Sequence, residues 1–351
     1  MTEPLRVAYD MTFPNRNQAG SGVYARELLA ELERRDDMAI STIAAAGRGG
    51  LPNTLAWLTM GARRAAAGSQ VVHCPAYVAP WRVDGRMVLT VHDTTTQRFP
   101  EDHTLEWRAY TGFLLPQRAR SAARVITGTE STRRDIVNDL GVPAERVAVT
   151  PYGISPRFAL PIRPLRPVAD PACLLFPGAP GKRKNLELVL SAMAKAPAGS
   201  KLERARLAIS GASPAQFPHH RALIESMSLA ERVDWRGPVP AESMPALMSE
   251  CDVLVYPSLY EGFGFPPLEA MLAGTPVVAS NTASLPELLG DAALLVDPND
   301  TAGFIGAVEA VLSKDSLRGE LIAKGRARAA RHTWSRCADL TVEVYRQALG
   351  T

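Results

Sequence analysis

The sequence predicts an α/β protein built from two doubly wound, Rossmann-like domains, and three observations lead to this prediction. The first is an alternation in which short apolar runs, typical of strands buried on both faces, are each followed by a helix-length segment. The second is a proline-rich stretch, Pro156 to Pro171, which interrupts this alternation near the middle of the chain. The third is the length of 351 residues, which suits about two domains of roughly 150 residues.

The alternation is present on both sides of the proline-rich stretch, as expected when parallel strands are joined by helices. The last part of the chain, residues 302–349, predicts consecutive helices with Trp334 at a junction. The predicted strands are 5–9, 87–91, 125–128 and 147–150, then 172–176, 205–210, 233–236, 253–256, 276–279 and 293–296.

The proline-rich stretch predicts the domain boundary. Proline removes a backbone donor and disfavours a helix before it, so the stretch is interpreted as an extended linker. We assign residues 1–165 to the first domain, 166–335 to the second and 336–351 to a C-terminal helix. Because an extended linker packs little surface, relative motion of the two domains is the default expectation.

Charge excludes one class of partner. Residues 1–165 carry 20 arginines against 16 acidic residues, a net charge of +4, whereas the rest of the chain carries −1. This bias is compatible with an anionic lipid surface. It is too weak to indicate nucleic-acid binding, and no nucleic-acid motif accompanies it.

Cysteine usage and hydropathy predict the compartment. Cys74, Cys173, Cys251 and Cys337 lie far apart, with no C-x-x-C pair, which predicts neither a zinc site nor a disulfide framework and indicates a reducing environment. No apolar run approaches the roughly 20 residues that span a bilayer, and no secretory signal is apparent. We therefore expect a cytoplasmic protein, and a peripheral contact with the inner face of the membrane stays open.

The strongest functional pattern runs from Tyr256 to Glu269, YPSLYEGFGFPPLE. A predicted strand ends at Tyr256, a glycine-containing loop follows, and two prolines suit the first turn of a helix. Glu261 lies on the loop and Glu269, eight positions later, in the first turns of the helix. Carboxylates accept hydrogen bonds from vicinal hydroxyls of sugars, and helix N-termini favour anions such as a diphosphate. The structural alternative is a helix-capping Glu269 beside a solvated Glu261.

This segment resembles the E-x7-E signature of retaining glycosyltransferase family 4, whose members have the GT-B architecture of two Rossmann-like domains facing a central cleft. The resemblance continues through residues 271–280, MLAGTPVVAS, and 284–298, SLPELLGDAALLVDP, and extends more weakly over nearly the whole chain. It is similar in particular to mannosyltransferases of surface-polysaccharide pathways. The resemblance implies hexosyl transfer with retention at the anomeric carbon and a C-terminal helix that crosses back onto the first domain.

The resemblance also implies roles for single residues in the second domain. Glu261 would hold hydroxyls of the donor sugar, and Glu269 would hold the ribose hydroxyls. The other residues assigned to the donor are Val239, Phe263, Gly264 and Phe265, the last three through backbone N–H groups that would meet the sugar and the phosphates.

A second pattern is FPGAPGKRKN at residues 176–185, where a strand runs into a turn and three cations precede a helix. Such cations suit the negative charge that develops on a leaving nucleoside diphosphate, whereas the alternative is a solvated basic loop. The glycine spacing does not fit a P-loop. In the resembling family a cation at the position of Arg183 and Lys184 contacts the diphosphate. Many members carry a further arginine after the glycine equivalent to Gly178; Ala179 stands there, and Arg183 or Lys182 would have to compensate.

Two glycines and a histidine mark the first domain. Gly20 and Gly22, with Ala25, formally match a dinucleotide fingerprint, but they follow the strand only after a long loop. By resemblance this glycine-rich loop would approach the donor phosphates and the acceptor. His92 follows a predicted strand and by resemblance would bond the donor sugar near the reacting centre, with a structural hydrogen bond as the alternative. We assign His73 a structural role.

The chain contains no Asp-x-Asp motif, which agrees with charge stabilisation by cations and a helix dipole instead of a metal. We predict no metal and no cofactor, with a nucleotide sugar as donor substrate and a glycan or lipid-linked acceptor. GDP-mannose is the favoured donor. The open alternatives are a UDP-hexose-dependent transferase, a nucleotide-sugar epimerase and a non-catalytic subunit that binds a nucleotide sugar.

Overall fold

The computed structural model of the protein describes residues 3–17, 19–45, 56–162 and 164–350. Two six-stranded sheets, all parallel where their strands pair, form the framework, and helices connect successive strands. The α/β, doubly wound class predicted from the sequence is confirmed.

The chain divides into two compact units. The first combines Met1–Gly153 with His332–Thr351, and the second is Ile154–Arg331. The division after Gly153 falls twelve residues before the predicted boundary at 165, and the segment that rejoins the first unit starts at His332 instead of 336.

In the first unit the strands are arranged in the order β2-β1-β3-β4-β5-β6. They are β1 Leu5–Asp10, β2 Met38–Ile43, β3 Val71–Cys74, β4 Arg86–Thr90, β5 Arg124–Thr127 and β6 Val147–Val149. Gly20–Leu32, Ala62–Ala65, Thr95–Arg98, Leu105–Ala109, Leu115–Ser121, Glu130–Leu140 and Trp334–Leu349 form its α-helices, with π-helical turns at Trp57–Gly61 and Tyr110–Leu114. The direction of strand addition reverses between β1 and β3.

In the second unit the order is β12-β11-β10-β7-β8-β9, and the reversal lies between β7 and β10. The strands are β7 Cys173–Pro177, β8 Arg206–Ser210, β9 Val233–Gly237, β10 Val253–Tyr256, β11 Val277–Ser280 and β12 Leu294–Val296. The α-helices are Leu186–Ala194, Lys201–Arg204, Pro218–Ser226, Met244–Glu250, Phe265–Ala273, Leu285–Leu289, Thr301–Ser313 and Asp315–Ala329.

The central strands of both sheets are buried on both faces beneath apolar side chains. In the second unit Leu174, Leu207 and Val255 from the strands are fully buried with Phe304 and Val308 from a covering helix. This burial explains why nearly every strand in this unit was visible as an apolar run.

The proline-rich stretch is attached to the second unit, which differs from the extended linker predicted. The Asp252 carboxylate accepts hydrogen bonds from the Ala169 and Cys173 backbone N–H groups at 3.3 and 2.8 Å, and it pairs with Arg166 at 2.8 Å. Nearer the start of the stretch, Arg326 donates to the Leu160 carbonyl at 2.8 Å. Side chains of the second unit therefore fix this segment in place.

The C-terminal helix Trp334–Leu349 packs on β3, β4, β5 and the helix Gly20–Leu32 of the first unit. Tyr345 is fully buried, and its hydroxyl lies 2.6 Å from His73 Nδ1. Gly153 lies so close to Trp334 that a Cβ added at position 153 would be 2.3 Å from the backbone nitrogen of Trp334. This close approach requires glycine where the chain leaves the unit. Among the described residues, no helix is long and apolar enough to cross a membrane.

Candidate active site

The predicted catalytic residues of the second unit lie at the reversal in its sheet. The loop after β7 carries Arg183 and Lys184, and the loop after the neighbouring strand β10 carries Glu261. In open α/β sheets, ligands bind at the carboxyl ends of strands where the strand order reverses. The sheet topology therefore brings together two segments that are 77 residues apart in the sequence.

These three side chains form a compact ion cluster. Glu261 Oε1 lies 2.6 Å from Arg183 Nη1 and 2.7 Å from Lys184 Nζ. Burial alone would raise the pKa of Glu261, but the charges of Arg183 and Lys184 outweigh it and lower this pKa to about 2. Lys184 also donates to the Tyr256 hydroxyl at 2.8 Å. The cluster holds an ionised carboxylate between two cations.

Backbone hydrogen bonds fix the two loops against each other. Arg183 donates through Nη1 to the Tyr260 carbonyl at 2.8 Å, and the Leu259 N–H donates to the Arg183 carbonyl at 2.8 Å. The Asn185 side chain donates to the Pro257 carbonyl at 3.2 Å. Asn185 itself adopts a left-handed conformation, with φ of 55°, a conformation that asparagine tolerates better than most residues. The cations are thus held by main-chain contacts as well as by Glu261.

The helix Phe265–Ala273 begins directly after this loop, with both prolines in its first turn as predicted. Gly264 precedes it with φ of +106°, and an added Cβ would lie 3.0 Å from Leu285 Cδ2. The Ser284 hydroxyl donates to the carbonyls of Glu261 and Phe263 at 2.8 and 3.0 Å. The loop that carries the predicted backbone contacts of Phe263, Gly264 and Phe265 is therefore anchored at a helix N-terminus, which favours anions.

Glu269 lies inside this helix and is half-buried. Burial raises its pKa to about 7, although the charge of Arg157 acts in the opposite direction. A carboxyl group with this pKa changes its charge near neutral pH. Arg157 was not among the predicted site residues, because it lies in the proline-rich stretch, where the sequence offers no functional signal.

Val239 lies two residues beyond the end of β9 and is half-buried. It therefore lies after the carboxyl end of a strand, as the other predicted donor contacts of this unit do. Lys182 opens the 3-10 turn Lys182–Lys184, so the three consecutive cations share one turn between β7 and the helix Leu186–Ala194.

His92 of the first unit lies two residues after β4, and both of its ring nitrogens have partners. Nδ1 lies 2.9 Å from the Tyr152 hydroxyl, and Nε2 lies 3.0 Å from the Pro75 carbonyl. Since a carbonyl only accepts, Nε2 carries the hydrogen and Nδ1 accepts from Tyr152. Burial lowers the pKa of His92 to about 4, so the ring is neutral at physiological pH. A contact with a ligand would require His92 to release one of these partners.

His73 is fully buried, with Nε2 2.9 Å from the Thr90 hydroxyl and Nδ1 close to the Tyr345 hydroxyl. Burial lowers its pKa to about 3. These contacts agree with a structural histidine that links β3 to β4 and to the C-terminal helix.

Gly20 and Gly22 form the first turn of the helix Gly20–Leu32, which corrects the prediction that they lie on a loop before the helix. A Cβ at position 22 would lie 1.8 Å from the Asn17 carbonyl oxygen. The close packing of this helix start against the preceding turn therefore requires glycine at position 22. The helix follows β1, next to the reversal in the first sheet.

Among the described residues, no group of three or more His, Cys, Asp or Glu side chains is placed to hold a metal ion.

Two family models together match most of the chain. The family model described as glycosyl transferases group 1 matches residues 162–328, and that of Glycosyltransferase Family 4 matches residues 19–158. The O-antigen chain mannosyltransferase B of Escherichia coli is 32% identical over 283 residues, which cover 79% of this chain and 74% of that relative.

Solved structures with the same fold cover the chain almost completely. The sucrose-phosphate synthase of Thermosynechococcus elongatus superimposes with a TM-score of 0.78 at 20% identity, covering 99% of this chain and all of that one. Anabaena HepE, solved in complex with UDP and glucose, has a TM-score of 0.74 at 16% identity, covering 98% of this chain and all of that one.

The fold and these matches define a glycosyltransferase of the GT-B type. More closely, the chain belongs to glycosyltransferase family 4, as the sequence motifs predicted.

Proposed function

We propose that this protein is a hexosyltransferase that moves mannose from GDP-mannose onto a glycan or a lipid-linked acceptor, with retention at the anomeric carbon and without a metal. The observation that carries the proposal is the cluster of Arg183, Lys184 and Glu261 at the reversal of the second sheet. The name and the 32% identity of the Escherichia coli O-antigen mannosyltransferase support mannose as the transferred sugar.

In the proposed reaction, Arg183 and Lys184 offset the negative charge that develops on the leaving diphosphate. Glu261 accepts hydrogen bonds from hydroxyls of the donor sugar, for which its low pKa keeps it ionised. Glu269 accepts from the ribose hydroxyls, and the loop at Phe263, Gly264 and Phe265 presents backbone N–H groups to the sugar and phosphates. This arrangement places all the charge stabilisation on protein groups.

We assign no protein nucleophile to the reaction. The acceptor hydroxyl attacks the anomeric carbon from the face that the diphosphate leaves, and a phosphate oxygen of the leaving group takes the hydroxyl proton. Both bonds at the anomeric carbon then lie on one face, which gives retention. Proton NMR of the product, in which α and β anomers differ, tests this: an inverted anomer would contradict it.

A UDP-hexose is the second candidate donor, favoured by the likeness in fold to Anabaena HepE, which was solved with UDP and glucose. The two donors can be separated by thermal stabilisation, because a ligand that binds the folded protein raises its unfolding midpoint. We expect GDP and GDP-mannose to raise the midpoint more than UDP, dTDP and their sugars do. A larger rise in the unfolding midpoint with UDP-sugars would instead identify a UDP-hexose as the donor.

An incubation with the nucleotide sugar but without an acceptor distinguishes a transferase from an epimerase and from a non-catalytic binding subunit. A transferase releases the nucleoside diphosphate slowly by hydrolysis and rapidly once an acceptor is added. An epimerase would accumulate an isomerised nucleotide sugar without an acceptor, and a non-catalytic subunit would release nothing. Chromatography of the nucleotide products distinguishes these three results.

We also propose that the protein works in the cytoplasm and that its first unit contacts anionic lipids. Leu105 and Phe113 have exposed fractions of 73% and 74%, unusually high for large apolar side chains, and the net charge of residues 1–165 is positive. Co-sedimentation with anionic vesicles tests this. Leu105→Ser/Phe113→Ser should bind them more weakly, whereas Ile162→Ser, which removes an exposed side chain of the second unit, should not.

A further inference from the structure

The second unit contains two thiols in direct contact. Cys173 begins β7 and Cys251 lies two residues before β10, and their Sγ atoms are 2.7 Å apart. The two cysteines are 78 positions apart in the sequence, so their spacing gave no sign of this contact.

Hydrogen bonds between Cys173 and Asp252 hold the neighbour of Cys251 against the start of β7. The Asp252 N–H donates to the Cys173 carbonyl at 2.8 Å, and the Cys173 N–H donates to the Asp252 carboxylate at 2.8 Å. The register pairs Leu174 with Val253, so Cys251 lies one position away from the residue opposite Cys173. With strands about 4.8 Å apart and a rise of about 3.3 Å per residue, such diagonal neighbours have Cα atoms about 6 Å apart, within the range that a disulfide spans.

We propose that Cys173 and Cys251 form a reversible disulfide, and that this pair is an oxidation site of the second unit. In the forward direction, the Cys173 thiolate attacks a hydroperoxide, which breaks the O–O bond and gives a Cys173 sulfenic acid and water or an alcohol. The Cys251 sulfur then attacks the Cys173 sulfur and expels water. Two thiols are oxidised as one hydroperoxide is reduced, and an external dithiol reverses the step by exchange.

The two thiols differ in a way that fits these roles. Cys173 is half-buried, whereas Cys251 has an exposed fraction of only 4%. The hydrogen bond from Cys251 lowers the pKa of Cys173, and the same contact raises the pKa of Cys251. A thiolate is the attacking form, so Cys173 reacts first and Cys251 resolves.

A cavity of about 680 Å³ gives reagents a route to Cys251. Cys251 and Asp252 line it, together with Arg166, Arg318 and the apolar side chain of Leu165. The Leu165 side chain is exposed, so the cavity wall reaches the surface of the unit. A small dithiol can therefore approach Cys251 from this side, and a small peroxide reaches Cys173 through the part of its own side chain that is exposed.

The proposed bond lies far from the candidate active site in the same unit. Cys173 lies at the start of β7 and Cys251 two residues before β10, whereas the loops of Arg183 and Glu261 follow the ends of these strands, about 15 Å away for a strand of about five residues. Oxidation should stabilise the unit by closing a long loop in the unfolded chain and leave the nucleotide site unchanged. This proposal is independent of the proposed function.

The test treats the full-length protein with hydrogen peroxide and blocks the remaining thiols in denaturant. We expect a loss of two hydrogen masses, two thiols that alkylate only after reduction, and a peptide with Cys173 joined to one with Cys251. Cys173→Ser and Cys251→Ser should each abolish the cross-link. Cys74→Ala and Cys337→Ala, at the two fully buried cysteines of the first unit, should leave it intact.

Stability and binding supply independent readouts. The oxidised protein should unfold at a midpoint several degrees above that of the reduced protein, a difference that both serine variants lose, with nucleotide affinity within about twofold. Four alkylatable thiols after peroxide, a cross-link through Cys74 or Cys337, or accumulation of Cys173 sulfinic acid would each overturn the proposal. An unchanged or lower midpoint in the cross-linked protein would also overturn it, because strands already in position should accept the bond.

Discussion

Arg183 and Glu261 form an ion pair of 2.6 Å that joins the loop after β7 to the loop after β10. The Glu261 carboxylate thus pairs with Arg183, the cation that the proposed reaction assigns to the diphosphate. A bound diphosphate would therefore compete with Glu261 for Arg183, and the released carboxylate would become available to sugar hydroxyls. The negative charge of Glu261, as well as its position, is therefore part of the proposed mechanism.

The first prediction is that Glu261→Ala abolishes most of the transfer activity but does not weaken nucleoside diphosphate binding, since Glu261 competes with the diphosphate for Arg183. A charged hydrogen bond to hydroxyls is worth about 1.5–3 kcal/mol, which corresponds to a loss of about 10- to 150-fold in turnover. The measurements are steady-state turnover and calorimetry with GDP.

The exposed Glu231, in the turn before β9, supplies the matched control for this prediction. Glu231→Ala should keep normal turnover. Normal turnover in Glu261→Ala as well would show that this carboxylate does not hold the donor sugar.

The second prediction concerns the pH dependence of nucleotide binding. The pKa of Glu269 is raised to about 7, so its ionised fraction rises between pH 6 and 8. The ionised form accepts hydrogen bonds from the ribose, and GDP affinity should therefore increase by up to about tenfold over this range. In Glu269→Gln, calorimetry should show only the small slope that the phosphates contribute. An equal slope in both proteins would exclude Glu269 as its source.

The third prediction distinguishes the contribution of the second unit to nucleotide binding from the contribution of His92 in the first unit to turnover. Nucleotide affinity should depend on Arg183, Lys184 and Glu269 but hardly on His92, whereas turnover should depend on all four. His92 has partners on both ring nitrogens, so Tyr152→Phe is its control: it removes the hydroxyl bonded to Nδ1 and keeps the imidazole. Calorimetry with GDP gives the answer. A loss of affinity in His92→Ala as large as that in Lys184→Ala would assign His92 to the nucleotide site.

The fourth prediction is that activity survives EDTA. The proposed charge stabilisation uses Arg183, Lys184 and a helix N-terminus, which need no divalent cation. Turnover measured after chelation, and again with Mg²⁺ or Mn²⁺ restored, should be the same. A strict requirement for either ion would overturn this account of the leaving group.

The fifth prediction uses two glycines in helices. Gly22→Ala should destabilise the first unit by about 1–3 kcal/mol, because the added Cβ would lie 1.8 Å from the Asn17 carbonyl oxygen. Gly306→Ala should stabilise the second by about 0.5–1 kcal/mol, since this helical glycine has open space around it. Thermal unfolding of both variants tests the pair. A Gly22→Ala variant with the unfolding midpoint of the wild type would show that the start of the helix can shift away from the Asn17 carbonyl.

Strands that are buried on both faces were predictable because their burial leaves a continuous apolar run, as at Val253–Tyr256. The strand β2, Met38–Ile43, was not predicted. It lies at the edge of its sheet, exposes four of its six residues at least partly, and contains two hydroxyl side chains. Edge strands need less apolar surface, so composition alone does not distinguish this one from a loop.

The candidate site was predictable where its residues lie close together in sequence, as Glu261 and Glu269 do. The ion pairs of Glu261 with Arg183 and Lys184 were not, because they depend on which strands become neighbours in the sheet. The same reason applies to the bond between Asp252 and Arg166, which attaches the proline-rich stretch to the second unit. Contacts of this kind are set by topology.

The division of the chain also sets an order of folding during synthesis. All strands of the first sheet are made by residue 149, yet the helix Trp334–Leu349 that covers β3, β4 and β5 is made only after the whole second unit. Tyr345, fully buried on His73, is therefore missing while the second unit is being synthesised. The second unit is one uninterrupted segment, Ile154–Arg331, and can fold while the first still exposes apolar surface on the ribosome. The first unit is therefore completed only after the second has been synthesised, and not when its own strands have been made.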